Sequence, residues 1–498
     1  MHFLSKWKWE LFLPISGLFL TLAFAPFEYS YLAIFSLTLV FLSWLECTPT
    51  RAAVRGYLYG LGMYGSGISW VYISIHDYGG APKLGAILLT LFVIGFWALF
   101  PALTGYLSVK VAAKQKKKLI WLIPFIWIFI EYFRGYWLLN GFPWLQIAYT
   151  QMDMPLQGFI PILGVYGTGF LLAVSASIIV ASFKRTLNPL YAILIMTSLW
   201  GTGVYLQTVQ WTTPIGKEIK VALIQGNIPQ DQKWLPQNRM QTLLFYKQMT
   251  ENNWDADVII LPETAIPTYL FQVKESYLTP LSIQAKSHNT DVIVGIKTFD
   301  KENNIHFNSV VTLGNHEGQY NKTHLLPFGE YLPLQPLSGF VLNLLNIQLG
   351  SFASGGDEQK LLTAGGYPFA TSICYEDAFG DEVLHSLPEA TFLVNVTNDA
   401  WFGDSLEPYQ HMQIAQMRSL ETGRYMLRAT NTGVTAIVAP NGKIIKEAPL
   451  FRQFALKGKI APMGGMTPYT RIGDTVILIF LSFCLLGLKM KSILIPKK

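Results

Sequence analysis

Phe369-Ala370-Thr371-Ser372-Ile373-Cys374-Tyr375-Glu376-Asp377 is the stretch on which the reading of this chain turns. An apolar run with the look of a buried strand ends in a thiol followed by two acids. Two upstream runs end in a comparable way. Val258-Ile259-Ile260-Leu261-Pro262-Glu263 presents a carboxylate, and Tyr320-Asn321-Lys322 presents an amine. A thiol, an acid and an amine at strand ends can form one nucleophilic site.

Around these runs lie further short stretches rich in Val and Ile. Strands are expected at 220–225, 258–261, 292–296, 309–313, 369–373, 392–396 and 435–439, and helices near 237–252, 277–288 and 407–428. Alternation of this kind predicts a layered α/β domain. There is no internal repeat, no low-complexity tract and no long linker.

The rest of the chain is of another kind. The overall composition, 51% hydrophobic and 14% charged, averages two unlike halves. Residues 1–210 carry 13 basic and 6 acidic side chains, whereas 211–470 carry 19 basic and 24 acidic. The formal charge of +6 is therefore no sign of nucleic-acid binding. Apolar stretches near 9–25, 30–46, 56–75, 84–109, 119–134, 160–183, 189–207 and 474–488 predict eight transmembrane helices, since a bilayer takes about 20 residues. The expected domains are a transmembrane domain of seven helices at 1–210, a catalytic domain at 211–470, and a last helix with a tail at 471–498.

Basic residues orient these spans. Lys6 and Lys8, then Arg51 and Arg55, then Lys110, Lys114, Lys116, Lys117 and Lys118, then Lys184 and Arg185, then Lys489, Lys491, Lys497 and Lys498 occupy alternate loops. These loops share one face, the cytoplasm, with both termini. Residues 208–473 fall on the far side, in a bacterium the periplasm or exterior. The first span could also be a signal peptide ending at Ala23-Phe24-Ala25; Pro26 should obstruct that cleavage, and the alternation needs the span retained. Cys374 is the lone cysteine of the exported segment, since Cys47 and Cys484 lie at or within spans. A lone thiol in an oxidising compartment is either buried and inert or put to use.

The motifs exclude much. There is no P-loop, no dinucleotide Gly motif after a strand, no HExxH, no paired CxxC and no GxSxG elbow. His385 and His411 read as solitary, and no metal site or cofactor is expected. What remains is thiol chemistry. Glu263 could take the thiol proton, Lys322 could stabilise the thiolate and an oxyanion, and Glu330 and Glu376 could hold the lysine charged.

Leu261-Pro262-Glu263, Tyr320-Asn321-Lys322 with Pro327-Phe328-Gly329-Glu330, and Cys374-Tyr375-Glu376 resemble the Glu–Lys–Cys signature of the nitrilase (carbon–nitrogen hydrolase) superfamily over roughly 219–460. That resemblance implies a four-layer α-β-β-α sandwich. Gly141-Phe142-Pro143-Trp144, Gln225-Gly226-Asn227-Ile228-Pro229-Gln230 with Trp234, and the eight-span layout resemble the membrane-bound apolipoprotein N-acyltransferases, over nearly the full length. The resemblance implies Glu263, Lys322 and Cys374 as catalytic residues, with Glu330, Tyr375, Glu376, Trp234, Asn308 and Trp144 supporting them or binding substrate. It further implies a ping-pong route in the bacterial inner membrane, part of lipoprotein biosynthesis. An acyl chain would pass from phosphatidylethanolamine through a thioester on Cys374 to the α-amino group of a diacylglyceryl-cysteine apolipoprotein, with no cofactor and with the enzyme a monomer.

Two other classes stay open: a membrane-tethered amidase acting on a small amide, and a transporter or scaffold with an inactive domain. The second calls for paired charges within the spans, and the sequence offers only Glu131 near the end of one. The uncharged stretch between Glu330 and Asp357 places Leu337, Phe340, Val341, Leu344 and Leu345 at helical spacing, which suits either a core-facing helix or an apolar arm at a lipid surface. Trp401 and Phe402 are similar aromatic candidates for a core, an interface or the site.

Overall fold

A computed structural model describes residues 8–336, 338–340, 351–356 and 358–494, with side chains as far as residue 487. Lys6, Leu337, Val341, Leu344, Leu345, Asp357, Lys497 and Lys498 lie outside the described residues, as do the side chains of Lys489 and Lys491. The chain divides into two units. One runs up to Tyr72 and takes in Ile87–Val209 and the segment from Arg471; the other takes in Ile73–Ala86 and Gln210–Thr470.

The first unit is helical: α1 (Lys8–Thr21), α2 (Tyr31–Trp44), α3 (Pro49–Gly67), α4 (Lys83–Ala112), α5 (Lys116–Tyr132), α6 (Ile160–Phe183) and α7 (Pro189–Leu206). Among the described residues, five helices are long and apolar enough to cross a membrane: Lys83–Ala112, Lys116–Trp137, Pro155–Phe183, Pro189–Leu206 and Pro468–Gly487. Leu190, Ile193 and Leu194 of α7 are exposed, as side chains facing lipid would be. The third expected span is displaced. Thr48 accepts the Arg51 N–H and Pro49 takes the first helical position, so α3 starts at Pro49 instead of 56. It also packs closely on α1: a Cβ on Gly62 would meet the Pro14 carbonyl oxygen at 1.9 Å.

Glu131 is not the unpaired charge expected from the sequence. A π turn, Phe133–Trp137, prolongs α5 and brings Arg134 within 3.9 Å of it, both side chains buried. Arg134 also donates to the carbonyls of Phe142 and Trp144, at 2.6 and 2.7 Å, and so anchors the Gly141–Trp144 loop.

The second unit is built on two sheets. The first runs β14-β2-β3-β5-β6-β7, with β4 beside β5: β2 (Ile219–Gln225), β3 (Val258–Ile260), β4 (Ile266–Tyr269), β5 (Asp291–Asp300), β6 (Ile305–Leu313), β7 (Gly318–Asn321) and β14 (Phe454–Ile460). The second runs β13-β12-β11-β10-β9-β8: β8 (Leu362–Ala364), β9 (Tyr367–Ile373), β10 (Phe392–Thr397), β11 (Met426–Thr430), β12 (Ala436–Val438) and β13 (Ile444–Glu447). A small pair, β1 (Thr212–Pro214) and β15 (Met463–Gly465), stands apart. β2, β3 and β5 are parallel, as are β9, β10 and β11.

Alternate residues of each strand go to different cores. Val221, Leu223, Val258, Ile260 and Ile293 of one sheet share a core with Phe369, Ile373, Val394, Val396 and Leu427 of the other. The opposite face of the first sheet (Ala222, Ile224, Ile259, Val292) packs with Leu243 and Tyr246 of α8 (Arg239–Glu251) and Ala285 of α9 (Thr279–Ser287). The opposite face of the second (Ala370, Leu393, Met426, Val438) packs with Met412 and Ala415 of α10 (Glu407–Thr422). Strands covered on both faces read as continuous apolar runs, which is why β3 and β9 stood out in the sequence.

Candidate active site

The carboxylate, amine and thiol expected to act together all lie just beyond the ends of strands. Glu263 follows β3 through Leu261-Pro262, Lys322 follows β7 and Cys374 follows β9. The strand behind Glu263 must come close: a Cβ on Gly295 of β5 would meet the Pro262 carbonyl oxygen at 2.3 Å, so only glycine fits there.

Asn308 of β6 joins the acids. Its side-chain amide donates to Glu263 Oε1 at 2.7 Å and to Glu330 Oε1 at 3.1 Å. The other oxygen of Glu330 lies 2.7 Å from Lys322 Nζ and accepts the Leu326 N–H at 2.9 Å. Glu376 is buried and accepts the Tyr320 hydroxyl and the N–H groups of Thr323, His324 and Ile373, at 2.6–3.1 Å. It therefore ties the residues just after β7 to the end of β9. Tyr375 is buried and packs edge-on against Phe379.

Electrostatics separate the roles these groups can take. Burial opposes the charge of Lys322, but Glu330, Glu263 and Glu376 hold it, and the ammonium stays protonated above the usual lysine range. Burial raises Glu263 above the usual carboxylate range, against the pull of Lys322 and the Asn308 hydrogen bond. Burial, with Lys322 and the backbone donors opposing, pushes Glu376 up to about 8. The Cys374 thiol is pushed up to about 12, by burial and then by Glu263, with Lys322 opposing. Cys374 is thus a thiol awaiting a base, beside a cation that cannot act as one.

Cys374 itself sits at φ +54°, a left-handed backbone that is costly for a residue with a Cβ. Its carbonyl accepts from the Asn395 side-chain amide at 3.2 Å, and Arg428 Nη1 donates to Asn395 Oδ1 at 2.6 Å. The register places Ser372, Asn395 and Arg428 in one row across β9, β10 and β11. Arg428 is buried and also donates to Asp377 and Asp399, each at 3.1 Å. His411 lies between the same two acids, at 2.9 and 3.1 Å, with Glu407 at 3.4 Å. His411 is therefore not the solitary residue read from the sequence. The donor atoms of Asp399, Glu407 and His411 lie within 4.8 Å of one another, a spacing that could hold a metal ion. Arg428 brings a fixed positive charge to Asp399 there. Burial and Arg428 oppose a charge on His411, but Asp377 and Asp399 outweigh them and hold it protonated.

Trp234 is 38% exposed, with Lys297 Nζ 3.6 Å from its ring centroid. Trp401, similarly exposed, meets Tyr78 edge-on. Phe340 is largely exposed. Trp144 lies in the first unit, where its indole is buried against Trp70 and Phe142. Sequence reasoning did not reach Asn395, Arg428, Lys233 or Lys297. No local spacing marks them: sheet register brings in Asn395, Arg428 and Lys297, and the short helix Gln230–Lys233 carries Lys233 to the Glu263 carbonyl.

Residues 220–460 match the family described as carbon–nitrogen hydrolase, which makes this half of the chain a nitrilase-like domain. Residues 16–178 match the apolipoprotein N-acyltransferase N-terminal domain. The apolipoprotein N-acyltransferase of Methylococcus capsulatus is 48% identical over 460 residues, 92% of this chain and 91% of that one. That of Nitrosomonas europaea is 39% identical over 468 residues, 93% of each. The chain belongs to the apolipoprotein N-acyltransferase family. Among solved structures, Nit3 of Saccharomyces cerevisiae, a nitrilase-superfamily member, is 18% identical with a TM-score of 0.37, over 50% of this chain and 92% of that one.

Proposed function

We propose that the chain is a phospholipid-dependent acyltransferase that N-acylates the diacylglyceryl-cysteine of apolipoproteins through a thioester on Cys374. The observation that carries this is the linked set Glu263–Asn308–Glu330–Lys322, with the Cys374 thiol in the field of both Glu263 and Lys322. Glu263 removes the thiol proton as sulfur attacks the ester carbonyl of phosphatidylethanolamine, at the sn-1 chain. Lys322 stabilises the oxyanion. The carbonyl C–O bond breaks, and the lysolipid alkoxide leaves with the proton from Glu263. In the second half, the acceptor's amine attacks the thioester, Glu263 takes the amine proton, the C–S bond breaks and the thiol is restored. An ester becomes an amide, which is downhill and calls for no nucleotide.

The arrangement proposed around this chemistry is an eight-span monomer in a bacterial inner membrane. Both termini are cytoplasmic and the catalytic domain, an α-β-β-α sandwich at 211–470, faces the periplasm. The alternating basic loops and the two outer helix-packed sheet faces support that reading. The test is mass spectrometry of the purified protein after incubation with phosphatidylethanolamine. The expected result is one acyl chain gained on Cys374, none on the Cys374→Ala protein, and loss of the adduct when a diacylglyceryl peptide with a free amine is added. A soluble amide hydrolysed without any lipid adduct would favour the amidase instead.

A further inference from the structure

The cation on β5 has no part in the mechanism above. Register pairs Lys297 with Asn308 across β5 and β6, so the two side chains leave the sheet on one face. Asn308 is the residue that donates to Glu263. Lys297 Nζ rests on the indole of Trp234 at 3.6 Å and lies 5.5 Å from the ring of Phe352. Among the described residues it has no carboxylate within 4.0 Å and no hydrogen-bond acceptor. Lys233 lies 5.9 Å from the same indole, buried, and donates to the Glu263 carbonyl at 3.1 Å and to Thr264 Oγ1 at 2.8 Å.

Two ammoniums therefore share one ring, and Glu263 is the acid whose field reaches both. Burial lowers Lys233 to about 7, with Lys297 adding to the fall, and lowers Lys297 to about 8. A half-covered ammonium seated on an indole keeps donors that nothing among the described residues fills. The partly exposed Trp234 leaves that place open to a ligand. A singly charged phosphodiester, together with Glu263, would balance the two lysines.

We propose that Lys297, carried on Trp234, binds the phosphodiester of the acyl-donor lipid. This deepens, and rests on, the reading of Cys374 as the acceptor of a phospholipid's acyl chain. It makes Lys297 a specificity determinant: the headgroup phosphate is held beside Glu263, and an ester lacking phosphate gains nothing from it.

Binding is measured on the full-length Cys374→Ala protein, where no acyl transfer follows, with Lys297 intact, Lys297→Met or Lys297→Arg. The probes are short-chain phosphatidylethanolamine, the matching diacylglycerol, and inorganic phosphate. Lys297→Met should weaken phosphatidylethanolamine binding about ten- to hundredfold, the worth of a charge-assisted contact, and leave diacylglycerol binding unchanged. Lys297→Arg should keep most of the binding. Thermal unfolding of Lys297→Met should be no lower than the parent's, since an unpaired desolvated charge is being removed. Equal weakening for both lipids, or for neither, would overturn the proposal. So would inorganic phosphate binding as tightly as the lipid, which would mark a free-phosphate site. Intact, Lys297-dependent binding with no thioester on the Cys374 protein would instead overturn the acyltransfer reading and leave the phosphate site standing.

Discussion

A thiol at about 12 holds almost no thiolate at neutral pH, so the rate of attack depends on a base acting as the S–H bond breaks. Glu263 is the group whose proton affinity burial has raised toward that task. Acylation of Cys374 should accordingly fall as pH drops through the Glu263 pKa, above the ordinary 4.5 of a free glutamate. Glu263→Gln should slow thioester formation by roughly 10²–10⁴-fold and abolish that acidic limb. An unchanged acylation rate would remove Glu263 from the role. The same shift fixes the sign of its effect on stability. The folded state keeps the Glu263 proton to a higher pH than the unfolded chain does, so stability falls as pH rises between the two pKa values. Glu263→Gln still accepts from Asn308, and it should raise, not lower, the melting temperature at pH 7. At this scale the sequence was legible where a residue ends an apolar run. Glu263 and Cys374 do so, whereas Lys322 follows the short, polar β7, Gly318–Asn321, and is marked by the Tyr320-Asn321-Lys322 motif instead. Lys297, in the body of β5, reads as any charged residue on an outer strand face, and nothing near it in the sequence points to Trp234.

The strained turn at Cys374 is held by strands, not by its own loop. Asn395 on β10 grips the Cys374 carbonyl, and Arg428 on β11 grips Asn395. Asn395→Leu keeps the volume and removes the donor, leaving Arg428 its two acids. It should cost about 1–3 kcal/mol of stability. Single-turnover acylation should slow about tenfold or more, with lipid KM little changed, because the thiol is misaimed and not lost. A rise in KM with an unchanged acylation rate would show that the row serves lipid binding instead. The sequence hid this row because β11 was absorbed into the helix expected at 407–428. α10 instead stops at Thr422: Gly423, at φ +63°, is the left-handed cap, and β11 starts three residues on. β14 was missed for the opposite reason. It is an edge strand, antiparallel to β2, whose Lys457 and Lys459 face outward, so it lacks the apolar run that marks the parallel strands β2, β3 and β5. The long strands β5 and β6 are legible only over their apolar cores, 292–296 and 309–313: β5 runs on to Asp300 and β6 begins back at Ile305, through polar residues that carry no strand signal.

For the whole molecule, the side on which residues 208–473 lie depends on how many of α1, α2 and α3 cross the membrane. Four of the five long apolar helices precede residue 208, and four crossings return the chain to the side it started from. Among the described residues α1 and α2 have 14 residues each, about 21 Å of helix against a hydrocarbon core of about 30 Å. α3 has 19 residues but is rich in glycine. The basic loops argue that α3 crosses and that α1 and α2 act alike: Arg51 and Arg55, between α2 and the body of α3, fall on the same side as Lys184 and Arg185 only if α3 spans, and on the same side as Lys8 if α1 and α2 both cross or neither does. Fusions of a side-specific reporter at Thr48, Asn188 and Gly355 separate the cases. Asn188 and Gly355 must lie on opposite sides wherever α7 crosses, so Thr48 is the informative position. Three crossings lie between Thr48 and Asn188 without α3, and four with it. Cytoplasmic signals at both Thr48 and Asn188, with an exported signal at Gly355, are expected. Opposite signals at Thr48 and Asn188 would mean that α3 does not span. A cytoplasmic signal at Gly355 would put the thiol in the wrong compartment for an exported lipoprotein, and would remove the proposed acceptor along with the topology.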